Sequence, residues 1–148
     1  MSEDILALQK QLYQGYKQLS DTLTALRVHS LEQGDIQGAR YYAAKETGAA
    51  RLFEMGWYHE LSPMLDVAAA EKDGELVLAI LDGLLDCLPT IMQFTLSPLF
   101  NLMTFRTPDE DYFASMRADI LESLKDPSYD YVRQCEGYEA FLEKWSNI

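Results

Sequence analysis

The chain has 148 residues, 48% hydrophobic and 24% charged, ordinary values for a soluble globular protein and enough to build one core without a metal or disulfide. Its net charge of −12 is unusual, with −4 in residues 1–74 and −8 in residues 75–148. Such a surface repels phosphate backbones and anionic lipid heads, so nucleic acid and membranes are excluded as expected partners, and a basic protein partner stays open.

Ser2 followed by Glu3 and Asp4 reads as a helix cap with acids at the positive end of the dipole. Ile5, Leu8, Leu12, Tyr16, Leu19, Leu23 and Leu26 then recur at steps of three and four. The spacing predicts one amphipathic helix of roughly 30 residues, or two joined near Ser20-Asp21, with Lys10, Gln14, Lys17, Asp21 and Thr24 on the opposite face. A seven-residue repeat over three heptads also permits an intermolecular coiled coil, but Gly15 and Thr22 fall at seam positions. The expectation is that the stripe packs within the protomer.

Gly34 closes this helix and Asp35 caps the next, which runs from Ile36 to Met55. It is rich in small residues (Gly38, Ala39, Ala43, Ala44, Gly48, Ala49, Ala50) that let helices approach closely. Tyr41, Tyr42, Leu52 and Phe53 supply bulk, and Gly56 stops it. After the aromatic turn Trp57-Tyr58-His59, Ser62-Pro63 predicts a cap and first helical residue for a helix from Pro63 to Lys72. Asp73-Gly74 is a tight break.

The loops Gln33-Gly34-Asp35-Ile36-x-x-Ala39 and Met55-Gly56-Trp57-Tyr58 are similar to the inter-helix turn of tetratricopeptide repeats, with Leu23, Leu26, Gly34 and Ala39 matching. Arg27, Ser30 and Leu61 depart from the pattern, and Gly34, Gly56 and Gly74 are 22 and 18 residues apart rather than 34. The resemblance implies stacked helical hairpins that recognise a protein or peptide. It carries over no binding residues.

Leu76 to Phe105 is the most apolar stretch, and Cys87 to Phe105 carries no charge. Val77, Ile80, Leu81, Leu84, Leu85 and Leu88 form two adjacent apolar stripes, which predicts a buried helix with Glu75, Asp82 and Asp86 along its one polar edge. Pro89 interrupts it. A membrane span needs about 20 predominantly apolar residues, and two prolines among uncharged polar groups argue against one here. The reading is two short core helices joined at Ser97-Pro98, with Ser97 as cap.

Thr107-Pro108-Asp109-Glu110 is the strongest start signal, with Thr107 as cap and Pro108 at the first helical position. The helix it opens reaches about Lys125, with Phe113, Met116, Ile120 and Leu124 inward. Asp126-Pro127-Ser128 breaks the chain before a last helix carrying Tyr131, Cys135, Tyr138, Leu142 and Trp145. No alternating strand pattern or Asn-Gly hairpin occurs. The fold class predicted is all-α, one domain over residues 1–148, built as a bundle or stack of six to eight antiparallel helices, with hairpin packing like that of tetratricopeptide repeats as one form.

Chemistry is sparse. His29 and His59 have neither zinc nor di-iron spacing, and no nucleotide loop or nucleophile motif is present, so no cofactor, no metal and no enzymatic activity are expected. Cys87 and Cys135 lie on apolar faces, where a thiol acts as a small hydrophobe. The opening Met-Ser-Glu-Asp-Ile lacks the basic start and apolar run of a signal peptide, so the cytoplasm is the expected compartment. The function expected is non-enzymatic protein–protein interaction, as a regulatory or adaptor domain. Met92, Phe94, Leu99, Phe100 and Met103 would line a groove for an apolar helix of a partner or of a second copy, giving a homodimer. The alternative is a sensor or carrier enclosing a small apolar ligand, with Tyr42, Trp57 and Tyr138 as polar tips. The acidic stripe Glu75, Asp82 and Asp86 would serve chemistry only if it met His59 or an arginine in a cleft.

Overall fold

The computed structural model describes residues 2–146, apart from the side chain of Ser2, so the capping role expected of that side chain lies outside the described residues. Helix α1 (Ser2–Glu32) is unbroken, with no joint at Ser20-Asp21. The chain reverses at Gly34, whose φ of +72° favours a residue without a Cβ. Asp35 then caps α2 (Ile36–Leu52) by accepting from the Gly38 amide at 2.9 Å. A Cβ at Gly38 would run into that carboxylate, so the cap and the glycine depend on each other. Helix α2 ends a turn earlier than Met55, as Glu54 and Gly56 both take positive φ.

Helices α3 (Trp57–Leu61) and α4 (Met64–Ala70) are short. Ser62 keeps helical angles and its amide bonds back to Tyr58, so it continues α3 instead of capping α4. Asp73 does cap, accepting from the Leu76 amide at 3.1 Å, and opens α5 (Gly74–Cys87). Helix α5 is the centre of the molecule. Val77, Leu78, Ile80, Leu81, Leu84 and Leu85 are all buried, and α3, α4, α7 and α8 pack on it. Together with Leu124, Val132, Phe141 and Trp145 they form the main core. The buried helix expected over 76–88 is present, and it stops at Cys87, just before Pro89.

The two short α-helices expected over 90–105 do not form. The segment is a chain of tight turns, with 3₁₀ turns at Leu88–Thr90 and Gln93–Leu96. Thr90 and Thr95 donate their hydroxyls to the carbonyls of Cys87 and Met92, both at 2.8 Å, and favour single turns over propagating helix. Ser97 is extended, and its hydroxyl accepts from the Leu99 amide at 3.1 Å in a local turn, with no helix following.

Helix α6 (Glu110–Ser123) is capped by Asp109, not Thr107, because the Asp109 carboxylate accepts from the Tyr112 amide at 2.9 Å. It lies on the outside; Phe113, Met116 and Ile120 are half-buried. The single last helix expected is two, α7 (Asp130–Arg133) and α8 (Tyr138–Ser146), parted at Gly137. Among the described residues there is no strand, and the fold is an all-helical bundle.

The hairpin α1–α2 stands beside this core. It joins through two smaller clusters: Ala39, Ala43 and Val67 between α2 and α4, and an aromatic cluster around Tyr16, Phe94 and Phe100. The turn at Gly34 and the fully buried Ala39 match the tetratricopeptide-like reading locally. The hairpin spans residues 2–52, far longer than a 34-residue unit.

Candidate functional site

The apolar stripe of α1 is the feature that the structure places differently. The inward face of the helix is Gln9, Tyr13, Tyr16, Ser20, Arg27 and Leu31. Ile5, Leu8, Leu12, Leu19 and Leu26 point to solvent, with relative exposures of 45%, 63%, 36%, 42% and 38%. Internal packing of the whole stripe is therefore overturned; only Tyr16 is buried and Leu23 half-buried.

The physical reason is that three polar residues of α1, Gln9, Thr24 and Arg27, find partners inside. The Arg27 Nε lies 2.7 Å from Glu46 Oε1 on α2, and one of its terminal nitrogens lies 2.7 Å from Asp66 Oδ2 on α4. Thr24 donates its hydroxyl to the same Glu46 carboxylate at 3.1 Å. Burial works against the Arg27 charge, and Glu46 and Asp66 more than offset it, so its pKa is raised. Further along α1, Gln9 Nε2 donates to the Pro98 carbonyl and to Asn101 Oδ1, both at 3.0 Å, and Gln9 Oε1 accepts from the Leu102 amide at 2.9 Å. Turning the leucines inward would break all of these bonds.

Helix α2 continues the apolar face. Leu19 and Leu23 of α1 and Tyr41, Tyr42, Ala44 and Leu52 of α2 border an open groove of about 600 Å³. Tyr41 is 59% and Leu52 73% exposed. The small residues Ala44 and Gly48 keep the floor shallow, and Lys45 folds over the Tyr41 ring at 5.3 Å.

The residues expected to line a groove in the 92–103 segment seat α1 instead of standing apart. Phe100 is fully buried and Phe94 nearly so. Met92, Leu99 and Met103 are half-buried against the cluster that includes Tyr13 and Phe53. Met92 and Phe94 border a recess of about 360 Å³ between α1, His59 and the 105–112 segment. Burial, and then the charge of Lys17, holds the His59 pKa below its usual value, so the imidazole is neutral at pH 7.

The acidic stripe is used structurally. Asp82 Oδ1 accepts from Lys144 Nζ and from the Trp145 indole, each at 2.9 Å, docking α8 on α5. Asp86 lies 3.6 Å from the same ammonium, and Glu75 is exposed. His59 lines a different recess from Asp82, and the basic partner Asp82 meets is Lys144. Tyr42, Trp57 and Tyr138 are not brought together. Tyr42 borders the α1–α2 groove, Trp57 is 69% exposed at the start of α3, and Tyr138 packs on the main core. Burial and then Asp86 push the Cys87 thiol up, away from nucleophilic reactivity. Among the described residues no group of three or more metal-ligating side chains converges, and no helix is long and apolar enough to cross a membrane.

No protein-family model, curated protein or solved structure significantly matches the chain.

Proposed function

We propose that this chain is a non-enzymatic interaction module that pairs with a second copy of itself through the exposed face of α1 and α2. The observation that carries the reading is the outward leucine seam of a 31-residue helix that buries Gln9 and Arg27 instead. An amphipathic helix normally turns its apolar stripe to the core, so a stripe left outside marks a surface that a partner covers.

The seam supports a symmetric partner. Ile5 and Leu26, and Leu12 and Leu19, are placed symmetrically about the Gly15–Tyr16 bond, and Leu8 falls opposite Leu23, which is half-buried at the edge of the α1–α2 groove. An antiparallel pair of α1 helices related by a two-fold axis there would set each leucine against its counterpart, as an isologous interface requires. Gly15 sits at the crossing, with nothing within 4 Å of the place a Cβ would take. At about 1.5 Å rise per residue and about 10 Å width, the two helices offer roughly 700 Å² per copy. That approaches the roughly 800 Å² each partner contributes to a standard stable interface. The surface committed to pairing is thus the N-terminal hairpin rather than the 76–105 stretch, from which Leu76, Leu96 and Leu102 are the large hydrophobics left exposed.

Sedimentation velocity across a concentration series tests this reading, with Leu12→Lys/Leu19→Lys as control. The expected result is twice the chain's mass for the natural protein and a folded monomer for the variant. A natural chain that stays monomeric at about 100 μM, where a Kd of 1 μM would leave it mostly dimeric, retires the proposal.

A further inference from the structure

The recess between α1 and the 91–112 segment differs in chemistry from the rest of the surface. Its walls are aromatic: Tyr13 stacks parallel to Phe94 at 6.2 Å, and Phe105 meets both rings edge-on at 5.1 Å. His59 sets its ring edge against Phe94 at 6.2 Å. Two cations, Lys17 and Arg106, stand in the lining, and no Asp or Glu does. That is unexpected in a chain with 24 acids and 12 basic residues. Neither cation is held in an ion pair among the described residues. The nearest acid by sequence, Asp109, borders the adjoining recess with Arg106, and its carboxylate caps α6.

We infer that this recess is a binding site for a small flat anion, an aromatic ring system bearing one carboxylate, with the ring laid against the aromatic wall that Tyr13, Phe94 and Phe105 form and the carboxylate toward Lys17 and Arg106. A volume of about 360 Å³ matches a ligand of one or two fused rings, at the small end of the range for such sites. Rings of the wall can stack on a flat guest, and the two cations of the lining select its charge. The lowered His59 pKa agrees with a positive potential here, since Lys17 adds to the effect of burial. In an acidic protein an anion is otherwise repelled, so the local field supplies specificity. The site lies on the inward side of α1, away from the leucine seam, and does not depend on pairing.

The test is titration of the full chain with 2-naphthoate, its neutral analogue 2-naphthamide and the cation 2-naphthylmethylammonium. Binding would be followed by calorimetry and by NMR shifts of Tyr13, His59 and Phe105. The expected order is naphthoate tightest, naphthamide at least tenfold weaker and the cation weakest. K17Q/R106Q should weaken naphthoate at least tenfold and leave naphthamide unchanged. Both positions are exposed, so the variant should keep the natural chain's circular dichroism and unfolding curve. Equal affinity for the three probes, no saturable naphthoate binding at millimolar concentration, or an unaffected double variant would each overturn the inference.

Discussion

Breaking the Arg27–Glu46 pair should cost far more than removing it whole. Both side chains are about 7–8% exposed, their closest atoms are 2.7 Å apart, and a second guanidinium nitrogen lies 3.5 Å from the other Glu46 oxygen. Glu46→Ala strands a buried guanidinium whose one remaining acid is Asp66, 58% exposed and well hydrated. Removing one member of a buried pair costs about 3–5 kcal/mol, and the residual contact with Asp66 places the expected loss near 3 kcal/mol. Arg27→Met strands the Glu46 carboxylate with the Thr24 hydroxyl as its remaining partner, for a loss of similar size. The double change Arg27→Met/Glu46→Met removes both charges and fills similar volume, so it should lie within about 2 kcal/mol of the natural chain. Glu46→Met, expected to lose as much as Glu46→Ala, closes the cycle, and urea unfolding followed by far-UV circular dichroism, at one low protein concentration, gives the free energies and m-values of the natural chain, the two Met singles and the double. A coupling energy of about 3 kcal/mol or more is expected. A loss under about 1 kcal/mol for Glu46→Ala, or additive effects in the double variant, would refute the view that this triad decides which side of α1 faces inward.

Three further outcomes follow from the same geometry. Gly15→Ala should raise monomer stability by about 0.5–1 kcal/mol in urea, since its surroundings are open, yet weaken dimerisation in sedimentation, since it crowds the crossing. Gly74→Ala should cost about 1–3 kcal/mol by the same unfolding assay, because its Cβ would strike the Cys135 sulfur and the Tyr131 carbonyl where α5 meets α7. Burial opposes the Asp82 charge but the bonds from Lys144 and Trp145 outweigh it, so its carboxyl titrates below the ordinary range. Its stabilisation is thus present above the ordinary carboxylate pKa of about 3.9 and disappears as pH falls through the lower folded value. Asp82→Asn should cost about 1 kcal/mol at pH 7, a figure reduced for an acid side chain 39% exposed. The difference from the natural chain, read by Trp145 fluorescence in urea, should be gone at the acid end.

The helices whose ends carry a local chemical reason were legible in the sequence. Asp35 caps where a short acceptor precedes an apolar run, the break expected at Asp73-Gly74 starts α5, Gly34 and Gly56 take positive φ, and α5 ends at Cys87, two residues before Pro89. The errors fell where two nearby residues could do one job or two backbone forms suit one composition. Thr107 and Asp109 both suit a cap, and Asp109 reaches the Tyr112 amide. Over 90–105, composition alone cannot separate a short helix from successive turns, and threonine hydroxyls bonding three residues back tip the balance to turns. The stripe from Tyr131 to Trp145 keeps helical spacing across a break at Gly137 because α7 and α8 lie on the same core.

The proposed pairing face was half legible. The heptad pattern of α1 was in the sequence, and so were the two positions, Gly15 and Thr22, that argued against a seam. In the pairing we propose, Gly15 instead becomes the crossing point. What no pattern on α1 could reveal is that Gln9 and Arg27, between the leucine stripe and the exposed polar face, are buried. Their partners lie 19 to 93 residues away, at Glu46, Asp66, Pro98, Asn101 and Leu102. Among the described residues no buried side-chain nitrogen or oxygen lacks a partner. A satisfied polar interior removes the usual penalty for turning that side inward. The leucines are then left outside not because burial is weak but because each polar partner is already placed on α2, α4 and the 94–105 segment. A second α1 can bury the seam without breaking any of those bonds.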